Sequence, residues 1–115
     1  MSKTRRYCFA CDLKDEPALI EAYERYHSKE AHWPDIAESI KATGITNMEI
    51  YRMGNRLFMI MEVNEAFDFD QKAKMDAENP RVQEWEELMN TYQQAPPWAA
   101  PGEKWVPMKE IFKLY

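Results

Sequence analysis

The residues best able to transfer a proton near neutral pH are concentrated in residues 23–34. This segment contains both histidines of the chain, His27 and His32, together with Tyr23, Tyr26 and Trp33. Histidine is the side chain whose ordinary pKa lies closest to physiological pH. The segment has the pattern of a helix end followed by a helix start, which would place an imidazole beside aromatic rings on a rigid element. Such a site suits a small polar molecule.

His27 is the stronger of the two candidates for acid–base chemistry. On a helix, Tyr23 and His27 lie four residues apart and are therefore neighbours, so the phenol could orient the imidazole or bind a hydroxyl group. A position near a helix C-terminus would also raise the histidine pKa. Taken alone, a histidine at a helix end is more often a capping or core residue than a catalyst, and the neighbouring Tyr23 is what favours chemistry. We expect His32 in the loop between the helices, as a surface group.

Motifs for nucleotide, metal or covalent chemistry are missing from the sequence. There is no P-loop, dinucleotide fingerprint, nucleophile elbow or HExxH motif, and only three glycines are present. Cys8 and Cys11 have CxxC spacing, but alternation along a strand would point them to opposite faces. We therefore expect two buried, reduced thiols, no metal site and no cofactor, which leaves acid–base work.

Composition and charge restrict the partners and the location of the protein. The chain has 115 residues and a net charge of −5, which predicts one domain over residues 1–115 and argues against a nucleic-acid partner. No run of 18 apolar residues could span a membrane. The basic N-terminus lacks the apolar stretch of a signal peptide. We expect a cytoplasmic protein.

Hydrophobic periodicity and turn residues predict an α+β fold. Asp15 is expected to cap the first helix, Gly44 to end the second and Asn79 to cap the fourth. The predicted elements are strand 7–13, helix 17–27, helix 34–43, strand 45–53, strand 56–63, a helix from 68 or 69 to 77, a helix from 80, and strand 106–114.

This order of elements is that of a ferredoxin-like antiparallel sheet with helices on one face. The other face would need a cover if it is apolar, and pairing of two sheets in a homodimer would provide one. The residues that suggest an apolar outer face are Phe9, Met59, Met61, Val63 and Phe112.

The chain is rich in aromatic side chains, which match the apolar C–H faces of sugars. Core filling is the alternative, and it is a strong one for Trp85 on its helical stripe. Glu49, Glu62 and Glu86 are carboxylates that could complete such a site, although such a residue is more often a solvated surface charge.

Several segments together resemble the L-rhamnose mutarotase family over essentially the whole chain. Segments 48–63 and 97–106 are similar to its branch of L-fucose mutarotases. The motifs of this resemblance are Tyr23-x-x-x-His27, Trp33-Pro34, Asn47-Met48-Glu49-Ile50-Tyr51, Arg56-Leu57-Phe58-Met59 and Gln83-Glu84-Trp85.

The resemblance implies a dimeric α+β barrel that interconverts sugar anomers without a cofactor. It implies His27 as the proton donor and Tyr23, Met48, Trp85 and Glu86 at sugar-contact positions. Met48 and Glu86 differ in type from the tyrosine and tryptophan of the family's rhamnose enzymes, which favours another 6-deoxy sugar. We expect L-fucose first and L-rhamnose second, with the catalytic base open between Glu49 and Glu86.

Two other functions fit the same predicted fold. Dimeric α+β barrels also include cofactor-free monooxygenases, which would consume oxygen. A non-catalytic domain would bind a small ligand without accelerating a reaction.

Overall fold

A long strand, β1 (Arg5–Leu13), and a β-hairpin make up most of the sheet in the computed structural model, which describes residues 4–115. The hairpin consists of β2 (Ile45–Met53) and β3 (Arg56–Val63). β3 pairs antiparallel with both β2 and β1, and two short strands, β4 (Gln93–Gln94) and β5 (Val106–Pro107), pair with the other edge of β1. The predicted hairpin is confirmed, and both of its strands begin and end at the predicted residues.

Four helices accompany the sheet, as predicted. They are α1 (Pro17–Tyr26), α2 (Pro34–Ala42), α3 (Phe69–Glu78) and α4 (Pro80–Asn90). Proline begins three of them. Its fixed φ suits the first helical position, and the N–H group that proline lacks would have no hydrogen-bond partner within the helix there. The predicted cap Asn79 accepts hydrogen bonds from the backbone N–H groups of Arg81 and Val82.

The prediction of Asp15 as the first helix cap is wrong by one residue. Glu16 occupies the N-cap position of α1, and its side chain makes no capping hydrogen bond. The sequence favoured aspartate because its short carboxylate is a common cap. Here Pro17 fixes the first helical residue and therefore decides where the helix begins.

The helices pack on the sheet face that carries Tyr7, Phe9, Cys11 and Leu13 of β1. One buried cluster joins Cys11, Leu13 and Leu57 to Tyr23 of α1 and Met89 of α4. A second cluster, around Val63 and Phe67, lies at the other end of β1 and includes Ile40 of α2. Side chains from both clusters, including Tyr23, Met89 and Met61, line the cavity described below.

The outer sheet face differs from the one predicted. Phe9 pairs with Met59 and Tyr7 with Met61, so these side chains and Val63 lie on the helix side. The two-residue period of a strand places their neighbours on the other face. That outer face carries Cys8, Ala10, Phe58 and Ile60, which the register aligns in two pairs.

The predicted last strand, 106–114, is wrong beyond its first two residues. β5 ends at Pro107, which has no N–H to donate to a ladder. One further backbone hydrogen bond joins Met108 N to Cys8 O at 2.8 Å. The rest of the tail forms neither helix nor strand and is exposed, with Ile111 91%, Phe112 75% and Leu114 71% accessible.

The two cysteines are free thiols in different environments. Cys11 is fully buried, and burial raises its pKa to about 12, so it stays protonated. Cys8 lies on the outer face and is only half-buried, which corrects the prediction of two buried thiols.

Within residues 4–115, no helix has the length and apolar character needed to span a membrane.

Candidate active site

A cavity of about 1180 Å³ lies between the sheet and the helices. Its floor is apolar and consists of sheet side chains. All four helices and the loop before β5 contribute to its walls. The floor residues are Phe9, Met48, Ile50, Met59 and Met61.

His27 stands at the C-terminal end of α1, where it is the capping residue. Its Nδ1 atom lies 2.8 Å from the backbone oxygen of Tyr23, one of the carbonyls that a helix end leaves without a partner. A carbonyl oxygen only accepts hydrogen bonds, so Nδ1 carries the hydrogen in this contact. In the neutral imidazole, Nε2 therefore holds a lone pair.

The pKa of His27 is lowered from its ordinary value of 6.5. His27 is exposed as a residue, but the protein atoms around its ring reduce the hydration of the imidazolium, which is the larger influence, while the hydrogen bond to Tyr23 O acts in the opposite direction. The helix-end argument had predicted a raised pKa, and that prediction is wrong because desolvation outweighs the favourable carbonyl contact. His27 rests in its neutral form at pH 7.

Tyr23 is buried beside His27, with the two ring centroids 4.4 Å apart. Its hydroxyl accepts a hydrogen bond of 3.3 Å from Gln93 Nε2, so its own hydrogen stays free to donate. Burial raises the pKa of Tyr23 to about 12, and the phenol remains protonated at neutral pH. The predicted neighbourhood of Tyr23 and His27 is present.

An aromatic wall extends from His27 along α4. The Trp85 ring lies edge-on to His27, with centroids 5.5 Å apart, and to Trp33, with centroids 5.1 Å apart. The guanidinium of Arg81 covers the Trp33 ring at 3.8 Å, a cation–π contact that holds the ring in place. Trp85 is partly buried against the core and also lines the cavity, so this one side chain belongs to both.

Met48 and Glu86 also face the cavity, Met48 from the floor and Glu86 from α4. The pKa of Glu86 is raised, first by burial and second by the nearby charge of Asp76. Glu49 does not line the cavity. It is exposed on β2, where it accepts a hydrogen bond from the Tyr51 hydroxyl. His32 is exposed at the cavity rim, in agreement with its prediction as a surface group.

Three polar residues of the cavity had no signal in the sequence. Gln93 lies on a strand of two residues, which periodicity does not detect. Lys72 and Asp76 have the spacing of an ordinary surface ion pair on a helix. Among residues 4–115, no three His, Cys, Asp or Glu side chains are grouped closely enough to hold a metal ion.

Known proteins match this chain over almost its full length. The family model for L-rhamnose mutarotase matches residues 6–114. An L-fucose mutarotase from Xanthomonas campestris is 46% identical over 110 residues, which cover 96% of this chain and 88% of the relative. A Dictyostelium discoideum protein that carries only a family designation is 34% identical over 116 residues, 96% of this chain and 90% of that protein.

A solved structure agrees with the architecture. The crystal structure of an L-rhamnose mutarotase from Formosa agariphila superimposes with a TM-score of 0.69 over 96% of this chain and 99% of that one. Because the two sequences are only 23% identical, this likeness establishes the fold alone. It confirms the predicted α+β, ferredoxin-like barrel architecture. The chain belongs to the L-rhamnose mutarotase family and is a carbohydrate isomerase, a mutarotase of the L-fucose and L-rhamnose kind.

Proposed function

We propose that the preferred substrate is L-fucose, with L-rhamnose second, and that His27 moves the proton. The observation that carries this proposal is the arrangement of His27, Tyr23 and Trp85 around one cavity above an apolar floor. The 46% identity to an L-fucose mutarotase supports the order of the two sugars.

Mutarotation requires two proton movements on atoms attached to C1. The O1 hydroxyl loses its proton, the bond between C1 and the ring oxygen breaks, a C1–O1 double bond forms, and the ring oxygen gains a proton. Rotation about the C1–C2 bond and closure on the other face give the second anomer. Acid–base catalysis by one positioned side chain contributes about 10²–10⁴-fold, which is sufficient for a reaction that already proceeds in water.

His27 can serve both movements through Nε2. In the neutral tautomer held by Tyr23 O, Nε2 accepts the O1 proton, and the resulting imidazolium then protonates the ring oxygen. One imidazole reaches both oxygens because both are bonded to C1. The resemblance implied that His27 is a proton donor, and this role corresponds to the protonation of the ring oxygen. Because His27 also accepts the O1 proton, neither Glu49 nor Glu86 is required as the base.

The other proposed contacts bind and orient the sugar. Trp85 offers a ring face to the apolar side of the pyranose, and the Tyr23 hydroxyl donates to a sugar oxygen. Met48 lies on the floor, where the C6 methyl group of a 6-deoxy sugar would find apolar neighbours. A C6 hydroxyl buried on that floor would lose its water without gaining a partner. Glu86 would accept a hydrogen bond from a ring hydroxyl.

Saturation-transfer NMR tests the function directly, because it measures exchange between the two anomers at equilibrium. We expect the protein to accelerate exchange of L-fucose most, L-rhamnose less and L-galactose, which carries the C6 hydroxyl, least. Exchange equal to that in buffer for all three sugars would contradict the proposal. Saturable sugar binding without acceleration would favour the non-catalytic domain, and oxygen consumption with an aromatic substrate would favour the monooxygenase.

We also propose that the enzyme is a homodimer. The support is the apolar pairs of the outer sheet face together with the exposed tail side chains of Ile111, Phe112 and Leu114, for which a second copy would provide a cover. Sedimentation velocity should give a mass of twice 13.7 kDa. The double substitution of Ile111 and Phe112 by aspartate should shift the population to monomer, and a monomeric wild type would overturn the proposal.

We propose in addition that residues 1–115 form one domain and that the enzyme works in the cytoplasm. The support for one domain is that a single sheet joins the strands from β1 to β5. The free thiols of Cys8 and Cys11 are compatible with a reducing compartment.

A further inference from the structure

Lys72 and Asp76 form an unusual ion pair on α3. They are four residues apart, and Lys72 Nζ donates to Asp76 Oδ2. Their side chains are only 26% and 17% exposed, and both line the cavity. The helical pairs Arg25–Glu21 and Lys41–Glu38 have the same chemistry, but their side chains are 67–76% exposed.

Helix α4 completes a polar region around this pair. Gln83 Nε2 donates to Asp76 O at 2.8 Å and to Glu86 Oε2 at 3.4 Å, which links the two helices. Lys72, Asp76 and Lys104 all act electrostatically on Glu86. Glu86 and Trp85 both line the cavity from α4, so the polar region and the aromatic wall belong to the same cavity.

The pair has hydrogen-bonding capacity that its own contact does not use. An ammonium group has three donors and a carboxylate accepts about four hydrogen bonds, whereas a single bond joins Lys72 to Asp76. A partly buried ion pair contributes little net stability, because the loss of hydration offsets the attraction. Fold stability therefore gives no reason to place this pair on a cavity wall, whereas binding of a polyhydroxylated ligand does.

We propose that Lys72 and Asp76 bind adjacent ring hydroxyls of the sugar, away from the anomeric centre, and thereby set its affinity. This inference rests on the proposed function. A hydroxyl both donates and accepts, so two neighbouring hydroxyls can donate to the Asp76 carboxylate and accept from the Lys72 ammonium. His27 then acts on O1 and the ring oxygen, while the pair holds the remote edge of the ring.

The substitutions Asp76→Asn and Lys72→Met test the inference, with Glu78→Gln and Lys74→Met as matched controls. The controls make the same changes of charge on exposed positions of the same helix. We expect the first two variants to raise the KM for L-fucose exchange about tenfold or more and to change kcat less than about threefold, as loss of uniform binding does. The controls should match the wild type.

Calorimetric binding of L-fucose and of its 3-deoxy and 4-deoxy analogues gives a readout that is independent of catalysis. The wild type should bind at least one deoxy analogue about tenfold more weakly than L-fucose, and Asp76→Asn should bind the two with equal affinity. Equal affinity of wild type and Asp76→Asn for L-fucose would overturn the inference. Absence of exchange by the wild type would instead contradict the proposed function, and the binding measurement would still decide on the pair.

Discussion

Lowering the pH should slow the enzyme in a way that identifies the working form of His27. If the neutral imidazole accepts the O1 proton, kcat/KM falls as the pH drops through the pKa of His27. A histidine with the ordinary pKa of 6.5 would be about one-quarter neutral at pH 6. Because reduced hydration of the ring lowers the pKa of His27, more than about a quarter of the plateau rate should remain at pH 6. The rate should stay level from pH 7.5 to 9, since Tyr23 has a pKa of about 12.

The assay is L-fucose anomer exchange from pH 5 to 9, with exchange in buffer subtracted at each pH. Trp85→Ala should move the acidic limb to higher pH, because removal of the neighbouring ring increases the hydration of His27. Glu86→Gln should leave the acidic limb at the same pH, which would show that the limb does not come from Glu86, a carboxyl group of the cavity with a raised pKa. A catalysed rate that increases between pH 7.5 and 6 would refute the reasoning, since it would mean that imidazolium is the form that starts the reaction.

Three further substitutions, one of them with a control variant, test the fold that positions the site, each by urea denaturation. Leu13→Ala removes a fully buried side chain of the core and should lower the free energy of unfolding by about 2–5 kcal/mol. A loss below about 1 kcal/mol would contradict the position of Leu13 in the core. Gly44→Ala should destabilise by roughly 1–3 kcal/mol, because φ is +99° and the new Cβ would lie 2.9 Å from Asn64 Oδ1. Gly54→Ala, also at positive φ but with open space around it, is its control and should lose less. Asn79→Ala should lose about 1 kcal/mol with the α4 cap, and no loss would show that the Arg81 and Val82 N–H groups do not depend on that side chain.

The elements with strong local signals were predictable from the sequence. The hairpin has two periodic strands around Gly54-Asn55, and α2 and α4 begin at prolines, so their starts follow from local chemistry alone. The pairing of Tyr23 with His27 followed from helical spacing. These features depend on residues at most four positions apart, or on a regular repeat.

The features that were missed depend on distant parts of the chain. The face to which Phe9 and Met59 point follows from where the helices pack, and alternation alone does not distinguish the two faces of a sheet. The pKa of His27 depends on loss of hydration next to rings such as Trp85, which lies far along the chain. The length of β5 depends on which edge of the sheet is free to form strand pairs with Pro107 and the tail. Asp76 had an ordinary helical partner in the sequence, and only the packing of α3 beside α4 places it in the cavity.

The central claim is that His27 carries the proton during mutarotation. The most direct test measures L-fucose exchange for His27→Ala beside His32→Ala, the same chemical change at an exposed position of the cavity rim. We predict that His27→Ala loses about 10²–10⁴-fold of the catalysed rate while His32→Ala keeps it within about twofold. Circular dichroism would establish that both variants are folded. A folded His27→Ala variant that exchanges the anomers as fast as the wild type would contradict the account.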